Sequence, residues 1–542
     1  MLLLEAGNIK KYYADRLIIE LDDFKIYPGD RIGVVGLNGS GKTTLLDILA
    51  GCLEPDEGFV RHFCEIGYIR QFSEEAVEPS QKLLKEFELA QKLEREVLSG
   101  GEHTRLKIAN AFSRKNILLF ADEPTSNLDF KGIELLKQKL EGLESFMLVS
   151  HDRSLLDGLC NKILEIRDGK VRVFNGNYTF YRQQCEKDQE RAALEYEKYV
   201  DAKAGLDAAI TGRQHRAKSM RKAPSRMGNS EARLHKREAN ERQEKINSAA
   251  NSLMTRLEKL VVKEKPRELP GIKLDFSLTN PPKNRVVLSA EKLNFSYGSV
   301  NVFKDAGFKV YNGVKTALWG ENGTGKTTLL NLISENGNSD ISIVPKARIG
   351  YFRQGFENLD PDKSVLENVM LDSVQRETIA RTILARLLIQ GEAVYKKVGV
   401  LSGGEKIKTA FAKMFVSGAN ILLLDEPTNY LDMQSIEALE AVLKEYEGTV
   451  LFVSHDKAFV NGVADRLLVL RNYSIEDFDG NLEEYEARRN AKNGAASDNV
   501  SDGMERTLLQ MRLTQTIAKL SLATGDKDAL EEEYRRLVEL LR

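Results

Sequence analysis

The stretch "GLNGSGKTTLLDIL", residues 36–49, decides the fold of the region around it. It contains the pattern G-x-x-x-x-G-K-[ST], in which glycines let backbone N–H groups surround phosphates at a helix N-terminus. Lys42 supplies a positive charge to the phosphates, and Thr43 supplies a ligand for Mg²⁺. The apolar run "RIGVVG" at residues 31–36 precedes the loop. The order of strand, loop and helix therefore predicts a nucleotide-binding α/β domain.

A second copy of this stretch, "GENGTGKTTLLNLI", occupies residues 320–333. Three further motifs occur twice in the same order: "LSGGE" from Leu98 and Leu401, "DEPT" at residues 122–125 and 425–428, and "VSHD" at residues 149–152 and 453–456. Repetition in one order indicates two homologous domains. "NILLFADEP" and "NILLLDEP" are nearly continuous apolar runs ending in acids, which is typical of buried parallel strands. We therefore predict two tandem α/β P-loop domains.

Acids and a histidine follow the apolar strands of each copy. The predicted catalytic residues are Glu123, Glu426, His151 and His455. A glutamate directly after the magnesium-binding aspartate can polarise the water that attacks the γ-phosphate. The histidines are predicted to contact that phosphate, although a lone histidine at a strand end also suits a purely structural role. Asp122 and Asp425 are expected to hold Mg²⁺ through water.

Composition limits the class of protein. The 542 residues are 42% hydrophobic and 30% charged, with a formal net charge of −2, which indicates a soluble multidomain protein. No apolar run approaches the ~18 residues that span a membrane, and no signal peptide is evident. The four cysteines show neither disulfide nor zinc spacing, so we expect reduced thiols and a cytoplasmic location. An anionic partner is expected only at a local basic patch.

Such a patch lies between the two copies. Residues 185–263 are rich in helix-forming residues and carry two apolar seams, which predicts a long antiparallel helical hairpin. The segment "APSRMGN" would form the turn, and about 40 residues before it would reach roughly 60 Å. Near the turn, cations outnumber the single acid Glu231. The predicted RNA-binding residues are Arg213, Arg216, Lys218, Arg221, Lys222, Arg226, Arg233, Lys236 and Arg237.

Phosphate binding with counterion release would favour ordering of this basic tip. A solvated coiled-coil end and an anionic membrane surface are the alternatives. The membrane alternative is disfavoured because the segment lacks an amphipathic apolar face. A long thin probe suits an RNA cavity better than a DNA groove.

The P-loop, "LSGGE", "DEPT" and the histidine together resemble the ATP-binding cassette family. The resemblance implies that the signature "LSGGE" of one cassette closes over ATP on the P-loop of the other. One composite site would join Lys42, Glu123 and His151 to Ser402 and Gly404, and the other would join Lys326, Glu426 and His455 to Ser99 and Gly101. The chain would then be a monomer with intramolecular cassette pairing, and both sites would hydrolyse ATP.

The resemblance also assigns the nucleotide contacts. In the first cassette they are Tyr13, Gly36, Asn38, Gly39, Gly41, Lys42, Thr43, Thr44, Gln71, Ser99, Gly100, Gly101 and Asp122. In the second cassette they are Tyr297, Gly320, Asn322, Gly323, Gly325, Lys326, Thr327, Thr328, Gln354, Ser402, Gly403, Gly404 and Asp425. The implied magnesium ligands are Thr43, Gln71, Asp122, Thr327, Gln354 and Asp425. The two tyrosines would stack on adenine, although both also suit half-buried strand positions.

Tandem cassettes, the helical linker, "GNYTFY" and "EPTNYLD" resemble the ABC-F family, especially its antibiotic-resistance branch of Vga-type proteins. That resemblance implies a protein that enters the tRNA exit site of the 70S ribosome and dislodges drugs at the peptidyl-transferase centre of 23S rRNA, beside a P-site tRNA. ATP hydrolysis would release it. A housekeeping translation factor and the ATPase subunit of a transporter remain alternatives. Lincosamides, streptogramin A and pleuromutilins are the favoured drugs, with phenicols and oxazolidinones possible.

The predicted organisation has four parts. Residues 1–182 form the first cassette, 183–268 the linker with its tip at 213–237, and 269–490 the second cassette. Residues 491–542 form a flexible linker and a C-terminal helical extension. The segment between Gln71 and Ser99 is shorter than its counterpart in the second copy, which predicts a trimmed helical subdomain.

Overall fold

The structure of the chain is a computed structural model. It describes residues 1–70, 100–113, 117–125, 128, 130–219, 229–263, 274–335, 340–353 and 359–489, with the backbone alone at 100–101, 130, 217–219 and 229–243. The chain divides into two compact units. The first comprises Met1–Thr125 and Leu135–Gly271, and the second Ser126–Glu134 and Ile272–Arg542.

The described strands of the first unit form one sheet. They are β1 Leu4–Tyr13, β2 Arg16–Leu21, β3 Phe24–Ile26, β4 Arg31–Gly36, β5 Glu57–His62, β6 Ile66–Ile69, β7 Leu118–Asp122, β8 Ser145–Val149, β9 Lys162–Arg167 and β10 Lys170–Asn175. Their order is β3-β1-β2-β10-β9-β4-β8-β7-β6, with β5 paired to β1. Strands β9, β4, β8, β7 and β6 are mutually parallel, whereas β1 pairs with β2, β3 and β5 antiparallel.

The described strands of the second unit form two sheets. They are β11 Val286–Tyr297, β12 Val300–Tyr311, β13 Lys315–Trp319, β14 Ile341–Ile343, β15 Ile349–Phe352, β16 Ile421–Asp425, β17 Thr449–Val453, β18 Arg466–Arg471 and β19 Ser474–Asp479. One sheet has the order β12-β11-β14, and the other has the order β15-β16-β17-β13-β18-β19. The sequence-based expectation of two α/β domains with buried parallel strands is confirmed, since β7, β8, β16 and β17 are buried at every residue.

Helices follow the strands in the pattern expected of parallel crossovers. The α-helices are α1 Lys42–Leu49, α2 Gly100–Ser113, α3 Phe130–Glu141, α4 Arg153–Leu159, α5 Tyr178–Ser219, α6 Asn229–Glu258, α7 Lys326–Ser334, α8 Val365–Met370, α9 Glu377–Arg386, α10 Gly403–Val416, α11 Met433–Glu445 and α12 Lys457–Val463. Apolar residues of these helices pack on the sheets. Leu45 and Leu46 lie in the core of the first unit, and Leu329 and Leu330 in that of the second.

Helices α5 and α6 pack antiparallel and form the linker. Ile210 and Ala250 are buried between them, and the guanidinium of Arg213 donates a hydrogen bond to the Ala249 carbonyl at 2.9 Å. Lys263 pairs with Glu195 at 2.8 Å nearer the base. Helix α5 begins before the boundary predicted at residue 183, because its first turn is anchored on the sheet of the first unit.

Several predicted features lie outside the described residues. They are the turn "APSRMGN", the trimmed segment before Ser99 and the C-terminal part from residue 491. The three domain boundaries that the sequence predicts stay predictions. In the described part of the chain, no helix is both long and apolar enough to cross a membrane.

Candidate nucleotide sites

The two P-loops have the same backbone conformation. Gly41 and Gly325 immediately precede helices α1 and α7, and their φ angles are 101° and 99°. This left-handed region favours glycine. A side chain would also collide with a neighbour, because an added Cβ would lie 2.8 Å from Ile18 at the first position and 2.5 Å from Val302 at the second. Glycine is therefore required at both helix entries.

The P-loop lysines point into their own loops. The Lys42 ammonium donates hydrogen bonds to the carbonyls of Gly36 at 2.9 Å and Leu37 at 3.1 Å. Lys326 donates in the same way to Gly320 at 2.8 Å and Glu321 at 2.9 Å. Each positive charge is buried at the centre of a loop, where it can attract phosphate oxygens. The other predicted loop residues, Asn38, Gly39, Thr44, Asn322, Gly323 and Thr328, belong to the same loop–helix segments.

A threonine and an aspartate meet at the start of each P-loop helix. The Thr43 hydroxyl donates to Asp122 Oδ2 at 2.7 Å. Burial raises the pKa of Asp122, and the bond from Thr43 partly counteracts that rise. Asp425 has the same environment, with burial raising its pKa and a hydrogen bond from Thr327 lowering it. The structure thus brings together the threonine and the aspartate that the sequence assigned to magnesium in each cassette.

This oxygen pair fits a magnesium ion. Hydroxyl and carboxylate oxygens are ligands that Mg²⁺ accepts, usually completed by waters and substrate phosphates. Asp425 Oδ1 is buried without a hydrogen-bond partner in the structure, so it leaves an acceptor for a metal-bound water. Among the described residues, no group of three or more His, Cys, Asp or Glu side chains could hold a metal. A site built from one carboxylate, one hydroxyl and phosphates is consistent with that finding.

The candidate catalytic glutamates have a strained backbone. Glu123 and Glu426 have φ angles of 47° and 49°, in a region that is uncommon for residues other than glycine. The backbone N–H of each donates to the last carbonyl of the neighbouring strand, Val149 at 2.9 Å and Val453 at 3.0 Å. These bonds hold the turn that directs each carboxylate toward the histidine after that strand.

Glutamate and histidine form a pair in each cassette. His151 Nε2 lies 3.0 Å from Glu123 Oε1, and His455 Nε2 lies 3.2 Å from Glu426 Oε1. Glu426 also accepts a hydrogen bond from the backbone N–H of His455 at 3.3 Å. Burial raises the pKa of Glu426 to about 7. A carboxylate of this kind can accept a proton from water at neutral pH.

The second signature motif begins a helix. Ser402 is the N-cap of α10, and its side chain accepts a hydrogen bond from the Glu405 N–H at 3.4 Å. The Glu405 carboxylate accepts in return from the Ser402 N–H at 2.9 Å. This reciprocal capping box explains the serine and glutamate of "LSGGE". The glycines that follow, Gly403 and Gly404, form the first turn, where N–H groups and the helix dipole favour an anion.

The remaining predicted nucleotide contacts are placed in part. Gly100 and Gly101 begin helix α2, whereas Ser99, Gln71 and Gln354 lie outside the described residues. Tyr13 and Tyr297 end strands β1 and β11 with exposed fractions of 54% and 59%. Exposure to this extent leaves their rings available for stacking and disfavours the alternative of half-buried strand residues. Phe295 contacts the Tyr297 ring edge-on, with the centroids 5.0 Å apart.

The basic residues of the linker tip are described unevenly. Arg213 is half-buried against helix α6, so its guanidinium contributes to hairpin packing, whereas Arg216 is exposed. Arg221, Lys222 and Arg226 lie outside the described residues, and the side chains of Lys218, Arg233, Lys236 and Arg237 are not described. Their role in RNA binding stays a prediction.

One polar pair was missed by sequence reasoning. The Tyr181 hydroxyl donates to Glu165 Oε1 at 2.9 Å, and both residues are buried. The signal in the sequence is the isolated acid in "KILEIR", residues 162–167, where the second copy has the wholly apolar centre of "RLLVLR", residues 466–471. An acid in a buried strand needs a partner, but the sequence does not say which.

Comparison with known proteins agrees with this geometry. The family pattern described as "ABC transporter" matches residues 20–126 and 303–429, one segment in each repeat. The erythromycin resistance ATP-binding protein MsrA of Staphylococcus epidermidis is 33% identical over 491 residues, which cover 88% of this chain and 99% of that protein. The ribosome protection protein VmlR of Bacillus subtilis is 29% identical over 551 residues, covering 100% and 97%.

A solved structure titled "RNase-L Inhibitor" has a TM-score of 0.60 at 20% identity, covering 90% of this chain and 92% of that one, and it shows a similar fold. Fold, P-loops and relatives together define an ATPase with two ATP-binding cassettes. The 33% identity to MsrA, over nearly the whole of that protein, is sufficient to assign the chain to a family. The chain belongs to the ABC-F family of ATP-binding cassette proteins.

Proposed function

We propose that this ATPase binds the bacterial 70S ribosome and protects it from antibiotics at the peptidyl-transferase centre. The observation that carries the proposal is the long antiparallel helix pair between two cassettes, in a chain that aligns over nearly its full length with an erythromycin resistance protein and a ribosome protection protein. A cytoplasmic location, 23S rRNA and a P-site tRNA belong to the same proposal.

In the proposed cycle, ATP joins the two cassettes. Lys42 and Lys326 hold the phosphates, and the signature glycines of the opposite cassette close over them. Glu123 and Glu426 take a proton from the attacking water, while His151 and His455 contact the γ-phosphate. Mg²⁺, held through Thr43, Asp122, Thr327 and Asp425, would neutralise phosphate charge. Hydrolysis would open the cassettes and release the ribosome.

The linker would act as a probe. Helix α5 has 42 residues, which correspond to about 60 Å at 1.5 Å per residue. This length suits insertion from the tRNA exit site toward the peptidyl-transferase centre. Cations near the tip, from Arg213 to Arg237, would contact ribosomal RNA through phosphates. The segment from Ala223 to Ser230 would then lie where it can displace a drug or reshape the RNA around it.

Two other functions are weaker. A housekeeping translation factor would use the same ribosomal site without a drug phenotype, and the short segment between Gln71 and Ser99 disfavours it. A transporter ATPase would need separate membrane subunits. That role does not explain the basic tip of the helical linker, residues 213–237. Membrane co-purification would support the transporter, whereas ribosome binding with no change in drug susceptibility would support the translation factor.

The first test is ribosome binding. Glu123→Gln with Glu426→Gln should trap the ATP-bound protein on purified 70S ribosomes, so that it co-sediments in ATP and not in ADP. The matched control replaces two exposed acids, Glu65→Gln with Glu392→Gln, and should sediment as the unchanged chain does. Failure of the trapped variant to co-sediment would overturn the proposal.

The second test is drug susceptibility of a sensitive bacterium that expresses the chain. The drug panel is a lincosamide, streptogramin A, a pleuromutilin, erythromycin, a phenicol and an oxazolidinone. Expression should raise the inhibitory concentration of at least one drug, and replacement of residues 223–230 by a neutral turn should abolish that increase. Equal susceptibility with and without the chain, despite ribosome binding, would favour the translation factor.

A further inference from the structure

The root of the linker is anchored by a buried polar contact. Tyr178 and Tyr181, in the first turn of α5, are both buried, and the Tyr181 ring packs edge-on against Phe174 with the centroids 5.1 Å apart. The Tyr181 hydroxyl donates to Glu165 Oε1 at 2.9 Å. Burial raises the pKa of Tyr181 above its ordinary value, so the hydroxyl remains the donor.

Glu165 lies in the strand beside the P-loop strand. In the parallel pair of β4 and β9, Val35 is opposite Glu165 and Gly36 is opposite Ile166. The register therefore places Glu165 beside the residue that precedes the first glycine of the phosphate-binding loop. Only 5% of Glu165 is exposed, and a buried carboxylate is costly without a hydrogen-bond donor. A displacement of the P-loop strand that moves β9 would reach helix α5 through this contact.

The second cassette lacks the equivalent contact. There, Trp319 is opposite Val469, an apolar residue at the position of Glu165. Tyr485, which ends "GNLEEY" as Tyr181 ends "GNYTFY", donates instead to Glu476 at 3.3 Å. Glu476 is exposed and belongs to β19, at the edge of the sheet and one strand farther from the P-loop strand.

Another contact is shared by the two cassettes. The backbone N–H of Thr179 donates to Asp157 at 2.7 Å, and that of Glu483 donates to Asn461 at 3.1 Å. These equivalent bonds fix the segment after each sheet, so they account for ordinary docking. The buried tyrosine–glutamate bond is the part of the anchor that distinguishes the segment entering the linker.

We propose that the Glu165–Tyr181 hydrogen bond is the joint that transmits ATP-dependent movement of the first cassette to the linker. Both are positioning residues, since neither belongs to the nucleotide site. This inference rests on the proposed function for its biological consequence, but the mechanical coupling can be measured without ribosomes. A hydrogen bond is electrostatically stronger in a buried, low-dielectric environment than in water, so this bond favours one position of the Tyr181 side chain relative to β9.

The experiment compares amide hydrogen exchange of residues 185–216 with and without ATP. The background is Glu123→Gln with Glu426→Gln, which holds the nucleotide. ATP should change exchange along α5, and Tyr181→Phe should reduce that ATP-dependent change roughly fivefold, the lower end of typical coupling between sites. The matched control, Tyr485→Phe, removes the corresponding hydroxyl of the second cassette and should leave the change intact.

Further variants separate coupling from folding. Glu165→Val with Tyr181→Phe gives the first cassette an apolar pair, with the valine that the second cassette carries, and should fold while remaining uncoupled. Glu165→Gln retains a carbonyl oxygen that accepts from Tyr181, so this variant should keep most of the ATP-dependent change in exchange. Two controls use the chain with intact Glu123 and Glu426. The thermal midpoints of the variants should match that of the parent, and their ATP turnover without ribosomes should stay within about twofold of the parent's. An unchanged ATP response in Tyr181→Phe would overturn the joint.

Ribosome experiments then place the joint in the cycle. In the chain with intact catalytic glutamates, Tyr181→Phe should slow ATP-dependent release from 70S ribosomes roughly fivefold, whereas Tyr485→Phe should not. Absence of ribosome binding in the parent chain would overturn the proposed function. The proposed joint would then stand or fall on the hydrogen-exchange experiment, which needs no ribosomes. Normal binding with equal release in Tyr181→Phe and Tyr485→Phe would overturn the joint alone.

Discussion

The candidate catalytic glutamates of the two cassettes belong to one repeated motif and have different surroundings. In the first cassette, the side chains of Glu123 and His151 are each 20% exposed. In the second cassette, Glu426 is 10% exposed while His455 remains at 22%. The acid–histidine distance is nearly the same in both cassettes, 3.0 Å and 3.2 Å, so the difference lies in the burial of the carboxylate.

This difference has a chemical meaning. A carboxylate withdrawn from water binds a proton more strongly, which is why the pKa of Glu426 rises to about 7. Duplicated motifs therefore give two bases of the same geometry and unequal environment. We expect the second cassette to contribute more of the turnover.

The largest effect is expected at the glutamates. Glu123→Gln with Glu426→Gln should lower ATP turnover at least about 100-fold, since general base catalysis is removed from both sites. Of the two single variants, Glu426→Gln should have the lower residual rate, because it removes the more buried base, whose pKa is raised toward neutrality. Phosphate release at saturating ATP measures this, with Glu392→Gln as the control. Equal residual rates in the two single variants would refute the inequality of the cassettes.

Magnesium dependence should separate the two aspartates. Asp122→Asn and Asp425→Asn should each raise the Mg²⁺ concentration for half-maximal turnover by roughly tenfold, as expected for groups that orient a metal through water. The larger rise is expected for Asp425→Asn. The Oδ1 of Asp425 is buried without a hydrogen-bond partner, so it is available to accept from a metal-bound water. A magnesium titration measures both, and the exposed Asp362→Asn serves as the control. An unchanged midpoint in Asp425→Asn would contradict the proposed metal site.

The smallest effect is expected at the adenine side. Tyr13→Ala and Tyr297→Ala should weaken ATP binding by about 1 kcal/mol, or roughly fivefold, through loss of stacking. The loss should be greater at Tyr297, because Phe295 holds that ring. Tyr13→Phe and Tyr297→Phe retain the ring and should bind normally. Binding of a fluorescent ATP analogue distinguishes these outcomes, and full affinity in both alanine variants would show that neither tyrosine stacks on the base.

Local motifs were predictable because their chemistry is encoded in adjacent residues. Gly41 and Gly325 are required by backbone angles that a P-loop always needs, and the buried strands follow from unbroken apolar runs. The aspartate at each strand end could be placed beside the P-loop threonine, because parallel strands bring their carboxyl ends to one edge. The linker seam was visible as helical spacing, and Ile210 lies buried where that spacing put it.

Other features could not be read from neighbouring residues. The partner of Glu165 is Tyr181, which belongs to another element, and nothing in either segment names the other. Arg213 was predicted as an RNA contact by its charge, yet its guanidinium bonds to a carbonyl of the opposite helix. Charge counts show how many cations a segment has, whereas packing decides which of them face solvent.

The two cassettes, their order, the helical linker and the residue types of each nucleotide site follow from local sequence, because these depend on period, spacing and local backbone demands. Two features emerge only in the folded chain. Glu426 is more buried than Glu123, and an acid of the first sheet anchors the linker while a valine occupies its place in the second. Both are consequences of contacts between distant segments. Burial and hydrogen bonding depend on what surrounds a side chain in space, and identical motifs acquire different properties when their neighbours differ.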